Sequence, residues 1–190
     1  MRHTRLMLAF ILGATLTAGT HTGCICNGDS GARPASAGGR LDLGNATSSA
    51  LTAFQDDSRV GHFFSSAYGW AVFPKITKGA VGVGIASGRG QVYREGKLAG
   101  YAKLTSVTLG AQIGGQTFSE VIFFKNQVSF DKFTASEVVF SASAGAVSGK
   151  QGGQNLANYS DGVVMFTRNN SGLIVAADIG GQKFEYRALP

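Results

Sequence analysis

The stretch AVFPKITKGAVGVGIASGRG, residues 71–90, decides the fold. Val81, Val83 and Ile85 alternate with Gly82, Gly84 and Ala86, so a strand here has one branched face and one nearly bare face. A bare face lets another element approach the backbone closely. Two occupants suit it: the protein's own helix, which is the commoner arrangement, or an acyl chain lying along the strand. Lys75 and Lys78 precede the alternation, and Arg89 follows it.

Working outward, residues 48–67 have helical spacing. Leu51 and Phe54 share a face, and Val60, Phe63, Phe64 and Ala67 follow the i, i+3, i+4, i+7 rule. Asp57 or Ser58 is a candidate cap for the second of these helices, and Gly69 a candidate stop. Strand signals then take over. A first strand is expected to stop at Pro74, and SGRG (87–90) and REGK (94–97) read as turns. Residues 91–94 and 98–105 read as strands, 106–113 alternate, and 117–124 is almost continuously apolar, as expected of a strand covered on both faces. SFDKF reads as one helical turn with Phe130 and Phe133 inward, followed by strands at 137–147, 162–168 and 173–186. IGGQTF (113–118) recurs as IGGQKF (179–184), where paired glycines would let a sheet turn a corner. The expected fold is α+β: a large antiparallel sheet, strongly curved or nearly closed, with short N-terminal helices packed on it.

The N-terminus reads as a targeting segment. Arg2 and Arg5 precede an apolar run of 13 residues, 6–18, too short for a bilayer span of roughly 20 but suited to a secretory leader. HTGC (21–24) resembles the lipobox of bacterial lipoproteins, with His21 where Leu is usual. On this reading residues 1–23 are the signal, Cys24 is the lipid anchor, 24–45 is a Gly/Ala/Ser-rich flexible tether and 46–190 is one domain. The alternative is ordinary signal cleavage that leaves Cys24 and Cys26 free or bridged. Removing Arg2 and Arg5 leaves 15 basic against 11 acidic residues, +4. That excess suits an anionic surface and falls short of a dedicated nucleic-acid binder.

Catalytic signals are sparse. No HExxH, CxxC or GxSxG occurs, and GAVSGKQ (145–151) lacks both the glycine spacing and the Ser/Thr of a phosphate-binding loop. His62 is the only histidine past the leader and reads as structural. The carboxylates, among them Glu95, Glu120, Asp131 and Glu185, form no local pair. The expectation is a protein that is not an enzyme and needs no cofactor or metal.

The helix ending at Ala67, Tyr68 and Gly69, followed by residues 70–124, resembles the SYLF domain. The specific elements are VFP, the spaced Lys–Gly and Gly pairs, and Gly110–Ala111–Gln112–Ile113–Gly114–Gly115–Gln116. The resemblance covers residues 46–190 and implies lipid binding without catalysis. Bacterial members are often lipoproteins, and eukaryotic relatives couple phosphoinositide-rich membranes to actin. Two features depart from those relatives. Residues 39–54 offer only Arg40 in place of a basic amphipathic segment, and no SH3 or FYVE module is attached, so actin binding does not carry over.

The expected function is therefore a lipid-binding lipoprotein of the bacterial outer membrane, facing the periplasm. Its basic turns, Lys75, Lys78, Arg89, Arg94 and Lys97, would meet anionic phospholipid or lipid A phosphates. The cations at Arg89 and at Lys78 would form either two separate patches or one, and one if the Glu95–Gly96 turn folds back beside Lys75. The alternatives are an envelope or surface interaction module, antigen- or adhesin-like, and a small outer-membrane β-barrel.

Overall fold

The computed structural model describes residues 31–135, 139–140, 159–169, 172–175 and 181–189. Its helices are α1 (Ala37–Gln55), α2 (Phe63–Ser66) and α3 (Gln127–Thr134). Its strands are β1 (Gly69–Arg94), β2 (Lys97–Phe124), β3 (Val139–Phe140), β4 (Val163–Asn169), β5 (Gly172–Val175) and β6 (Gln182–Ala188). The order is β3-β6-β2-β4-β5, with β1 along β2, and every pairing is antiparallel. This is the expected α+β class. The sheet is not closed into a barrel, so the small-barrel form does not describe it.

The sheet is dominated by one hairpin whose arms are 26 and 28 residues long. A straight arm would span about 85 Å, whereas a domain of this size has a radius of gyration of about 15 Å. The hairpin therefore has to bend. Two extra residues on β2, opposite the step from Val81 to Val83, shift the register at mid-length. Beyond the bend β1 returns over itself. A Cβ on Gly90 would collide with the Val72 carbonyl and the Phe73 ring, and one on Gly88 would lie 2.8 Å from the Lys75 carbonyl. At the end of the return, the Glu95 amide donates to the Tyr68 carbonyl at 3.0 Å. Where this strand face is described, at Ala86, Gly88 and Gly90, the opening residues of the same strand pack against it.

This geometry corrects several expectations. The segment 87–90 is not a turn: Ser87, Gly88, Arg89 and Gly90 pair in mid-strand with Thr105, Leu104, Lys103 and Ala102. Its glycines make room for the fold-over. β1 passes through Pro74 at a bulge between Phe73 and Ile76, which is tolerated because β1 is an edge strand. The turn at 94–97 forms as expected. Glu95 (φ 51°) and Gly96 (φ 78°) supply the two left-handed residues of a two-residue hairpin.

The doubled hairpin creates two halves. In the first, residues 69–78 of β1 pair with 116–124 of β2, which also pairs with β4. In the second, residues 84–94 pair with 97–108, which also pairs with β6. Between the halves lies one core cluster: Phe73 and Ile76 from the first, Ala86, Leu104 and Phe184 from the second, with Phe130 and Phe133 of α3. α3 fulfils the SFDKF expectation and is fixed by a capping box in which Asn126 and Ser129 bond reciprocally. A second cluster covers the outside of the first half, where Trp70, Val72, Val121, Phe123 and Phe166 meet Phe54, Val60 and Phe63. The apolar run ending at Phe124 is therefore covered on both faces, as expected.

α1 begins at Ala37, so residues 37–45, read as part of the tether, are helical. Ser36 caps the helix by accepting from Gly39 N at 3.0 Å, and Arg40 donates to the carbonyls of Pro34 and Ala35. α2 is shorter than the spacing suggests. Asp57 does not cap it but forms an ion pair with Arg59 at 2.8 Å, and Gly69 opens β1 instead of closing a helix. The expected strand 173–186 is two strands, β5 and β6. The strand at 137–147 is described only at β3, and GAVSGKQ lies outside the described residues. The two GGQ copies are not equivalent: Gln116 is exposed on β2, whereas Gln182 is buried on β6.

Candidate functional site

Antiparallel pairing puts directly opposed residues on the same face. In the second half, Ala86, Gly90, Val92, Ala102, Leu104 and Phe184 point inward and are buried. The intervening residues form the outer face. One row across the sheet is Arg89, Lys103 and Glu185; the next row holds Lys183 beside Thr105, and the row on the other side holds Arg187 beside Tyr101. With strands about 4.8 Å apart and alternate residues about 7 Å apart, four cations occupy a patch of about 10 by 14 Å. One carboxylate lies among them: Glu185, 3.8 Å from Lys183 Nζ.

Arg89 and Lys103 face each other directly, an arrangement of like charges that costs stability unless an anion or water screens it. Arg89 Nε donates to the Gly31 carbonyl at 2.6 Å, so the segment entering α1 arrives on this face. Next along the hairpin, Ile85 and Val107 are a cross-strand pair, 58% and 53% exposed. Such an apolar pair beside a cationic face is unusual for residues that burial would favour.

The five expected cations do not form one site. Arg94 and Lys97 oppose each other beside the Glu95–Gly96 turn. Arg94 alternates with outward Tyr93 and acts electrostatically on Tyr186, so it belongs to the other side of the sheet from Arg89. The Glu95–Gly96 turn folds back beside Tyr68, not Lys75. Lys75 instead reaches the level of Gly88 and Arg89 through the fold-over. Lys78, half-buried opposite Gln116, lies toward the bend. The basic surface that the fold does assemble uses Arg89 with three residues the sequence reading missed: Lys103, Lys183 and Arg187. The alternation in YAKLTSV and QKFEYR carried part of the signal, since each puts its charged residues on one strand face.

Elsewhere the polar groups of the described residues are dispersed. An open groove of about 420 Å³ is lined by Ser49, Thr52, Ala53, Asp56, Asp57 and Arg168. Arg168 Nη1 there donates to the Ala53 carbonyl at 2.8 Å, and Arg59 holds the Asp57 carboxyl below the usual carboxylate range. His62 is exposed, and its ring lies 4.1 Å from that of Phe63. Among the described residues no cluster of three or more His, Cys, Asp or Glu side chains could hold a metal ion. Among them, too, no helix is long and apolar enough to cross a membrane.

The fold and this surface together define a small α+β domain with a basic, partly exposed sheet face. No protein-family model matches the chain. Among curated proteins it is similar to Beta cell expansion factor A of Aeromonas veronii, with 28% identity over 144 residues covering 73% of this chain and 53% of that protein. The chain thus spans about half the length of the curated relative it matches.

Proposed function

We propose that this chain is a non-catalytic, SYLF-like domain of a bacterial envelope lipoprotein, and that it docks on anionic lipid through the outer face of its second half. One observation carries the reading: Arg89, Lys103, Lys183 and Arg187 share one outer sheet face, with Glu185 as its carboxylate among the described residues, next to the exposed Ile85–Val107 pair. Each cation near an anionic leaflet contributes about 1 kcal/mol. Four together give about 4 kcal/mol, an affinity near 1 mM, which is reversible on its own. The exposed apolar pair adds interfacial contact beyond this. An acylated Cys24 would change the role of the face from recruitment to orientation. Gly31 lies seven residues after Cys24, a reach of at most about 25 Å, so anchor and basic face would meet the same leaflet. The lipid would be an outer-membrane phospholipid or the phosphates of lipid A, met from the periplasm.

The test is flotation of the unacylated Cys24→Ser protein with neutral vesicles and with vesicles carrying anionic lipid, at low and high salt. Binding is expected only to the anionic vesicles and to weaken with salt. Replacing Arg89, Lys103, Lys183 and Arg187 with Gln is expected to lower it by about 1,000-fold. The corresponding Gln replacements at Lys75, Lys78, Arg94 and Lys97 are expected to leave most binding intact. Attachment indifferent to lipid charge and salt, or loss confined to the second set, would refute the assignment to this face.

A further inference from the structure

Glu120 lies in the inner core between the two halves of the doubled hairpin and is fully buried, and Gln182 on β6 is 1% exposed. Gln182 Nε2 donates to Glu120 Oε2 at 3.2 Å, so a hydrogen bond crosses from one half to the other. That leaves Glu120 Oε1 and Gln182 Oε1 buried without a partner. Both are acceptors. An ionised carboxylate and a carboxamide can share only one such bond here, because neither leftover oxygen has a hydrogen to offer. One proton on Glu120 Oε1 resolves both deficits: the hydroxyl becomes a donor, and the amide oxygen becomes its acceptor. The two groups then form the doubly bonded acid–amide pair.

The surroundings give the charged form little support. Phe73 of β1 and Thr167 of β4 are the register neighbours of Glu120, and neither ionises. Arg168 and Lys183, which follow Thr167 and Gln182, alternate to the outer face, and Lys75 is exposed at its bulge. Phe130 and Phe133 face the core from α3, while Asp131 and Lys132 are exposed. Lys78 has the inward parity but stands four residues along, about 13 Å away. Burial raises the Glu120 carboxyl to about 7, and the bond from Gln182 offsets only part of that rise.

We propose that Glu120 and Gln182 form a proton-dependent clasp that holds the two halves of the sheet together, tight when Glu120 is neutral and loosened when it ionises. The clasp is separate from the basic outer face and does not depend on that face binding lipid. A carboxyl raised by folding contributes stability that is complete below its unfolded value of about 4.5 and is lost as pH rises through about 7.

The experiment is urea unfolding of the full chain at pH 5 and pH 8.5. The folding equilibrium constant is expected to fall by about 70-fold between them, since part of the contribution is already lost at pH 5. Glu120→Gln, which keeps shape and can pair amide to amide, is expected to abolish most of this fall and to be the more stable protein at pH 8.5. A variant that retains the full pH dependence, or a wild type that shows none, overturns the clasp. If the variant does not fold, carbon-13 NMR of the wild-type side-chain carboxyls decides. Titration of Glu120 near neutrality supports the proposal, and titration in the ordinary glutamate range, near 4.3, rejects it.

Discussion

The two halves of the long hairpin share the same pair of strands yet meet different surroundings. In the first half, Val121 and Phe123 pack outward beneath α1, α2 and β4, while Ile122 and Phe124 pack inward. In the second half the inner face is covered, and the outer face only in part, where Gln91 and Tyr101 are buried beside α1. Its outer face carries Arg89, Lys103, Lys183 and Arg187, and beyond them Ile85 and Val107 in solvent. One half is interior structure, with stability concentrated in aromatic contacts. The other half is surface, where substitution should leave the fold standing and alter what the protein meets.

The strongest way to break this comparison is a matched pair of substitutions. Phe123 is fully buried, and its ring lies 5.3 Å from that of Phe63 and 4.8 Å from that of Phe64. Phe123→Ala should cost about 3–5 kcal/mol in urea unfolding. Val107→Ser, in the exposed pair, should change stability by less than about 0.5 kcal/mol. Similar costs for the two would mean that the outer face is also covered at Val107.

The fold-over itself is the next target. Gly90→Ala puts a Cβ against the Val72 carbonyl and the Phe73 ring, both in the core-facing return of β1. About 2–3 kcal/mol of destabilisation is expected by the same measurement, since backbone must move to admit the methyl. A neutral result would show that the halves lie farther apart.

A smaller effect, of opposite sign, is expected at the tip of the second half. Glu95 adopts φ 51° in a two-residue turn where Asn is at home. Glu95→Asn should stabilise by about 0.5–1 kcal/mol, visible as a raised melting temperature. Another small effect belongs to the covering layer of the first half. Arg59→Ala removes the ion pair with Asp57, whose arginine side chain is 52% exposed, so less than about 1 kcal/mol is at stake. Asp57 has its carboxyl lowered, first by the Arg59 hydrogen bond. The contribution is therefore present above the ordinary aspartate value and lost as pH falls through the lowered one. Unfolding curves of wild type and variant should converge in acid.

Much of this architecture was legible in the residues. The covered strand ending in VIFF, the two inward phenylalanines of α3 and the REGK turn each follow from a short local pattern. Arg89 was recognisable as an exposed cation. Its neighbours were not, because Lys103, Lys183 and Arg187 become one surface only when β6 pairs with β2 in a particular register. Glu120 was likewise visible as one acid among apolar residues, but its pairing with Gln182 spans 62 positions of sequence. The turn expected at 87–90 failed for a related reason: glycines mark either a change of direction or a close approach, and local sequence does not distinguish them.

The sequence by itself determined which residues alternate, where branched and aromatic side chains had to leave water, and that the chain would be an antiparallel sheet with helices against it. Those outcomes depend on side-chain period and hydrophobicity, which are local. Only the tertiary structure decided that β1 would cover its own glycine face, which cations would share a surface and which acid would lie between the halves. Those outcomes depend on register and on a mid-hairpin bend, where backbone pairing brings together residues that no short pattern connects.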